Sequence, residues 1–435
     1  MKYFDMVKTI PVLENAYDVL VAGAGPAGIC AAVTAKREGA RVALIERYGI
    51  LGGNLTVGHV GPILGMVGKG TMRDELLKLL GVPDNDMIGE TGLVHDIEKA
   101  KQILADFVAA EEIDVFLQTP VADVIMDGKS LKGLVLASKE GLSAVYGKIT
   151  VDATGDGDIA FFAGAPFEIG RKSDGLMQPV TLEFTINGVD ESCGIACIGD
   201  VDDVKLNGER FLDFTARCAR EGLLPEVMSA VRLHRTTVPG ERRVNTTQAN
   251  GVNALYNQQL FPAELTLRRQ MDILMNFLRN NLPGYENCKL VNSASTLGVR
   301  ETRRISGEYV LSTDDMSIGR RYNDTVVHNA DFVIDIHNPT GSGQAEESIQ
   351  KVKPYDIPYR CLVPLGVENL ILSGRCISGT HRAHASYRVM SICMAIGQAA
   401  GTAASVSIRE ATLPRKTPAA KIQEALKRQG VELFD

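Results

Sequence analysis

The sequence is short of several things, and each shortage removes a class of protein. Basic residues are outnumbered by acidic ones, 46 to 53, for a formal net charge of −7. A chain with that balance offers no broad basic surface, so no nucleic-acid partner is expected. Its eight cysteines are scattered through 435 residues, which reads as reduced thiols in a cytoplasmic protein rather than a disulfide framework. Cys193 and Cys197 have neither a second pair nor a nearby histidine to complete a zinc site, and read as two free thiols. The opening residues, MKYFDMVKTIPVLE, lack the continuous apolar core of a signal peptide, so export is not expected. No low-complexity or highly charged tract points to disorder. Long uncharged runs are also scarce. The one that stands out, Val389 to Ile408, is too rich in small and hydroxylated residues for a membrane span, and its Gly397 and Gly401 suit a helix packed closely inside a core.

What is present begins at Tyr17. Val19 to Val21 form a short apolar strand ending in Gly23, Gly25 and Gly28, a G-x-G-x-x-G, and Ala27 to Lys36 has the composition of a helix. Strand, glycine turn and helix in that order make a dinucleotide site: the first glycine allows the tight turn, the second lets a pyrophosphate approach the backbone, and the third lets helix and strand pack. Pro26 fits the first helical turn, where its missing N–H costs nothing. A second strand, Arg41 to Ile45, ends at Glu46, about twenty residues beyond the middle glycine, where a carboxylate accepts hydrogen bonds from an adenosine ribose.

At this length two domains are expected. Helices are predicted near Thr71 to Leu80 and Asp96 to Glu111. Strands are predicted over Val115 to Leu117, Val121 to Met126 and Gly133 to Ser138, the last two forming a small antiparallel insertion, and Ile149 to Ala153 is a further strand. The acidic run after it, Thr154 to Asp158, lacks the glutamate of a calcium loop, since Ala163 holds that place. It reads instead as backbone passing beneath a cofactor, and no metal is expected. From Phe167 to about Lys353 the pattern changes, with strands at Pro179 to Ile186 and Val244 to Gln248 and a helix at Pro262 to Asn280. The expected organisation is a cofactor domain over 1–166, an inserted domain over 167–353, and the rest of the first domain over 354–435. That last part carries strands at Leu362 to Leu365 and Leu370 to Ser373, a loop, the small-residue helix, and an amphipathic helix over Thr417 to Gln429.

Five stretches together resemble the FAD-dependent oxidoreductases of the two-dinucleotide-fold superfamily. They are GAGPAG at 23–28, ERYGILGGN at 46–54, VDATGDGD at 151–158, LGVRETRRISGEYVL at 297–311, and the most specific, IPYRCLVPLGVENLILSGRCISGTHRAHASYRVM at 357–390. The likeness is to the bacterial group often given simply that name, with fumarate reductase and heterodisulfide reductase flavoproteins as more distant kin. It implies an α/β fold, a Rossmann-like FAD-binding domain carrying an inserted α+β substrate domain. It also implies FAD with its adenosine on Glu46 and its pyrophosphate over Gly25 to Gly28, and an isoalloxazine between Gly52 to Asn54 and Gly374 to Arg388. The cofactor set so implied is Gly23, Ala24, Gly25, Pro26, Ala27, Gly28, Glu46, Arg47, Gly52, Gly53, Asn54, His59, Val121, Ala153, Thr154, Gly155, Gly374 and Arg375. His59 stands where the group usually carries an apolar residue, and is a candidate for flavin contact or covalent attachment.

Departures from the wider superfamily narrow the chemistry. No cysteine pair follows Gly53, so a thiol relay there is excluded, and no second G-x-G-x-x-G supplies a dedicated nicotinamide domain. His381 and His384, three residues apart in THRAHASYR, are candidates to exchange protons near neutral pH, against the plainer reading that they fix the loop. Arg388, with Arg375 and Arg382 near it, suits a reduced flavin or a substrate carboxylate. Arg300, Arg303 and Arg304 read as ties between domains, with anion binding as the alternative. Cys361 and Cys376 read as small buried thiols. The leading expectation is an enzyme moving a hydride or electrons between flavin and a small polar, anionic organic substrate. The alternative is a flavin electron-transfer subunit, whose partner would have to supply any iron–sulfur cluster because this chain has no such cysteine spacing. No membrane partner is expected, and a homodimer is the default assembly.

Overall fold

The computed structural model describes residues 7–14, 16–82, 94–197, 203–345 and 352–434. Strand β1 (Tyr17–Ala22) leads through the glycine turn into helix α1 (Pro26–Arg37), with Pro26 in its first turn, and the chain returns in β2 (Val42–Ile45). Two amphipathic helices follow, α2 (Met72–Leu80) and α3 (Ile97–Ala110). Asp96 caps α3 by accepting the Lys99 N–H, and Ile97, Leu104 and Val108 form its buried stripe. Strand β3 (Asp114–Phe116) then joins the sheet, and β4 (Val121–Asp127), β5 (Ser130–Ser138) and β6 (Gly141–Asp152) form an antiparallel meander.

Strand β6 does two jobs. Its first half, Gly141 to Tyr146, pairs antiparallel with β5, and its second half, Gly147 to Asp152, pairs parallel with β1. The central order is β3-β2-β1-β6-β5-β4, and a late strand also pairs with the end of β6. The parallel strands all end at one edge, where such a fold places its ligand crevice.

After β6 come the short helix α4 (Asp158–Phe162) and strand β7 (Phe167–Ile169). A second body of structure begins with β8 (Phe184–Asn187), the ribbon of β9 (Lys205–Leu206) and β10 (Glu209–Arg210), and helix α5 (Phe211–Arg220). It continues through β11 (Leu233–Arg235), β12 (Arg242–Val244), the long helix α6 (Asn257–Asn281) and β13 (Lys289–Ser293). Its sheet runs β11-β12-β8-β13, all antiparallel. Residues from Val180 to Leu297 bury their apolar side chains in a cluster of their own, whereas Ile305, Leu311, Met316 and Val326 return to the first.

The remaining elements are β14 (Arg303–Ile305), α7 (Thr313–Ile318), β15 (Thr325–Ala330), β16 (Tyr355–Pro358), β17 (Leu370–Leu372), α8 (His381–Tyr387), α9 (Met390–Arg409) and α10 (Ala419–Arg428). Strand β17 is the late partner of β6. Helix α9 is long and apolar enough to cross a membrane, but 94% of its most apolar window is buried inside the protein. It lies on α1, and a β-carbon on Gly397 or Gly401 would sit 2.1 or 2.2 Å from the carbonyl oxygens of Ala27 and Ala31. Those glycines let the two helices touch backbone to backbone.

Five local expectations differ from the structure, the first being that of Pro179 to Ile186 only the part from Phe184 belongs to a strand, β8, while Val180 and Thr181 make isolated bridges. Leu362 to Leu365 is no strand: Tyr359–Leu362 is a 3-10 turn, because Pro358 and Pro364 bracket a stretch too short to pair. Strand β12 stops at Val244, and at Gln248 the backbone N–H goes to the Gln270 side chain of α6 instead of a ladder. Helix α6 starts at Asn257 and carries Pro262 on its solvent side, where the lost donor leaves no buried carbonyl unpaired. The THRAHASYR loop is helix α8, started by Thr380, whose side chain accepts the Ala383 N–H.

Candidate functional site

The site is built on the carboxyl edge of the parallel strands. Gly23 turns the chain with φ of 95°, and a β-carbon on Gly28 would sit 1.8 Å from the Gly23 carbonyl oxygen, so close packing of α1 on β1 requires both glycines. Gly25 is different: a β-carbon there would meet nothing within 4 Å. The space above it belongs to a cavity, and the α1 N-terminus points its unpaired N–H groups there.

Glu46 ends β2 and is buried. Its Oε2 accepts the Ala24 N–H at 2.7 Å and its Oε1 the Tyr48 N–H at 2.9 Å, which aims the carboxylate along the cavity and leaves lone pairs for a hydroxyl. Burial raises its pKa, with those two donors opposing the rise. Gly52 passes behind the site, donating its N–H to the Ala24 carbonyl at 2.8 Å, and Gly53 brings its backbone against that of Gly25.

The cavity runs along this edge. Gly23, Gly25, Pro26 and Ala27 line its floor, with Glu46, Arg47 and Val121 at one end. Ala153, Thr154 and Gly155 form one wall, and Gly53, Asn54, Gly374 and Arg375 lie further along. Leu297 and Val299, from the chain leaving the second cluster, and Arg388 at the foot of α9 also line it. Residues predicted from places as distant as Gly25 and Arg388 therefore share one cavity. Open backbone at Gly25, an oriented carboxylate at Glu46 and donors at the helix N-terminus suit an extended dinucleotide.

The acidic run after β6 is spent on arginines. Asp156 pairs with Arg375 at 3.0 Å and lies 3.6 Å from Arg47, and it accepts the Thr302 hydroxyl at 2.8 Å. Asp158 pairs with Arg303 at 2.8 Å. Arg303 also lies over the Phe161 ring, and Arg304 bonds Gly379, Gly170 and Glu301, so both tie separate segments together. Among the described residues no three His, Cys, Asp or Glu side chains gather as metal ligands.

The histidines are placed less centrally. His384 is fully enclosed, edge-on to Tyr387, and burial with Arg304 nearby pushes its pKa well below the usual imidazole range. His381 is held by the wholly buried Glu301, which sits 2.8 Å from its Nδ1. Neither ring is on the cavity wall, nor is His59. His59 is buried with φ of 55°, its Nδ1 has no partner, and burial together with Arg243 brings its pKa down to about 4. Cys361 and Cys376 are buried, and burial raises both thiols far above the reactive range.

Two buried polar residues were not singled out by spacing. Gln178 and Glu183 are both buried, and each keeps an unpartnered atom, Nε2 and Oε2. Burial lifts Glu183 to a pKa of about 7 against the pull of Arg243 and Arg300. Arg388 reaches Asp335 at 3.0 Å and Gln178 Oε1 at 3.3 Å. Nothing in their sequence neighbourhoods marks these residues, because their role depends on segments 50 to 200 positions apart meeting.

A sheet that ends its strands on a glycine turn, with an oriented acid at β2, defines a Rossmann-like dinucleotide-binding flavoprotein. The chain belongs to the FAD dependent oxidoreductase family, whose match covers residues 18–426. Among curated relatives it is similar to a digeranylgeranylglycerophospholipid reductase of Picrophilus torridus, 29% identical over 37% of this chain and 45% of that one. It is also similar to a soluble pyridine nucleotide transhydrogenase of Mycobacterium bovis, 25% identical over 58% of this chain and 56% of that one. The chain spans about half the length of these relatives. Among solved structures, a geranylgeranyl bacteriochlorophyll reductase-like protein of Thermoplasma acidophilum aligns with 95% of this chain and 83% of its own, at 15% identity and a TM-score of 0.49.

Proposed function

We propose that this enzyme is a dehydrogenase or reductase that moves a hydride or electrons between FAD and a small polar organic molecule bearing an anionic group. The supporting observation is the cavity wall, which Leu297 and Val299 of the segment leaving the second cluster share with Arg388 and the glycine turn. A substrate seated at that wall would be enclosed by the 167–353 segment, which we read as the substrate domain.

In this reading FAD supplies the two-electron chemistry, and the protein supplies binding, orientation and proton management. Gly25 and the α1 N-terminus would hold the pyrophosphate, Glu46 the ribose, and Asn54 and Gly374 the ring end. Arg388, already fixed by Asp335 and Gln178, would present its guanidinium without reorganising. His381, oriented by Glu301, would be the nearest imidazole candidate for proton exchange. One relative is named a reductase and another a soluble pyridine nucleotide transhydrogenase, in keeping with electron transfer by a cytoplasmic enzyme.

The test is anaerobic visible spectroscopy of purified holoenzyme against hydroxy acids, sugars, enoates and NAD(P)H. Bleaching of the oxidised flavin by a small donor, or recolouring of reduced flavin by a small acceptor, is the expected result. Turnover only in the presence of a co-purifying redox protein would replace this reading with that of an electron-transfer subunit.

A further inference from the structure

Arg300 is a half-buried cation that forms no ion pair among the described residues, although the charges of Asp335 and Glu183 act on it from further off. Its neighbours in sequence, Arg303 and Arg304, pair with Asp158 and Glu301. Arg300 instead donates from Nη1 to the Pro179 carbonyl at 2.8 Å, and no described carboxylate lies within ion-pair distance of it. A carbonyl dipole does not neutralise a guanidinium, so Arg300 keeps donors free for an anion. Burial, with Arg388 adding its repulsion, brings the pKa of Arg300 down to about 9. Asp335, the nearest acid that might have answered it, is bonded to Arg388.

The residue before Pro179 carries a second unmet group. Gln178 is 1% exposed, and its Oε1 accepts from Arg388 Nη2 at 3.3 Å and from the His337 backbone N–H at 3.1 Å. Two donors on one atom fix which end of the amide is oxygen, since a flipped amide would set its NH2 against both. Its Nε2 is thereby held as a buried donor with no acceptor. An amide donor and a guanidinium, anchored at adjacent positions of one segment, face the same need. Both lie beside Arg388, which is on the wall of the flavin cavity.

We propose that Arg300 and the Gln178 amide, with Arg388 at the cavity edge, receive the carboxylate of an organic acid, so that the substrate is a carboxylate-bearing molecule. This rests on the reading of a small substrate at the flavin and names its chemical class. A planar monoanion matches a guanidinium fork and one amide donor. A phosphate dianion fits less well, because Glu183 and Asp335 lie within electrostatic reach of Arg300.

The test is titration of oxidised holoenzyme with acetate, propionate and benzoate, read as a saturable change in the flavin visible spectrum. Their amides and inorganic phosphate serve as comparisons. Carboxylates should bind at least about tenfold tighter than the amides. Arg300→Gln should weaken them roughly 10–100-fold and Gln178→Leu about tenfold, the scale of hydrogen bonds to a charged group. Arg300→Lys should restore part of the loss, since it keeps the charge without the fork. Flavin content and melting temperature are followed in each variant; should Arg300→Gln fail to hold flavin, Arg300→Lys and Gln178→Leu carry the comparison. Equal binding of amides and carboxylates, unchanged affinity in these variants, or Arg300-dependent binding of phosphate alone would each overturn the subsite. Bleaching by a neutral donor without any carboxylate response would remove the subsite and leave the small-molecule enzyme standing. Reduction solely through a protein partner would remove both.

Discussion

Gly25 and Gly28 stand three residues apart and carry different constraints. Gly28 is needed by the fold, because any β-carbon there strikes the Gly23 carbonyl, while Gly25 borders only cavity and has an ordinary φ of −70°. Gly25→Ala is therefore expected to leave apo-protein stability within about 0.5 kcal/mol, as surface changes do, yet to purify pale because the methyl occupies the pyrophosphate's approach. Gly28→Ala should lower the melting temperature of the apo-protein as well. Absorbance per chain and a melting curve for each variant decide the matter. Glu183 gives a prediction in pH. Its folded pKa of about 7 lies above the ordinary 4.5 of a glutamate, so the native state keeps a proton that the unfolded chain releases between these values. Stability from this group is complete below about pH 4.5 and is lost as pH rises through 7. Glu183→Gln removes that slope, so the variant should gain on the wild type between pH 5 and 8, by an amount on the order of 2 kcal/mol. Parallel stability–pH curves for the two proteins would contradict the assignment.

At the scale of elements, the contact between α1 and α9 joins the start of the chain to its end. Gly397 and Gly401 face backbone carbonyls of α1, which cannot swing aside as a side chain can. Gly401→Ala is expected to cost about 3 kcal/mol, the upper end for overpacking. Gly397→Ala, opposite Ala27 at the cavity floor, should in addition loosen FAD retention, whereas Gly401→Ala should spare it. Chemical denaturation and dialysis of the holoenzyme distinguish these effects. The small-residue helix was legible because its composition already asks for a close neighbour. Helix α8 was not, since seven residues give too little periodicity to outvote histidine and arginine, and only the Thr380 cap and the core under Ala383 and Tyr387 decide it.

Over the whole molecule, the cavity gathers the glycine turn, the end of β6, the end of β17 and the foot of α9, so FAD held there would bridge segments that meet only in the folded state. Binding to the native state alone stabilises it by about 2.7 kcal/mol at one hundred times the dissociation constant. Removal of FAD should accordingly lower the melting temperature, and added FAD should restore it in a concentration-dependent way. A melting temperature indifferent to FAD would mean that FAD does not bind the native state.

From its own residues the sequence determined the dinucleotide turn, the acid at Glu46, the strands flanking them and the close-packed helix near the C-terminus. These are local: glycine spacing, alternation and caps act over a few positions, and each signal lies inside the element it specifies. The partners of the arginines were decided only in three dimensions. The spacing of Arg300, Arg303 and Arg304 treats them alike, yet two meet carboxylates and one meets a carbonyl. The same holds for Gln178 and Glu183, ordinary polar residues until burial removes the water that would have satisfied them. Desolvation is a property of the assembled chain, and it sets the cost of every unpaired group at this site.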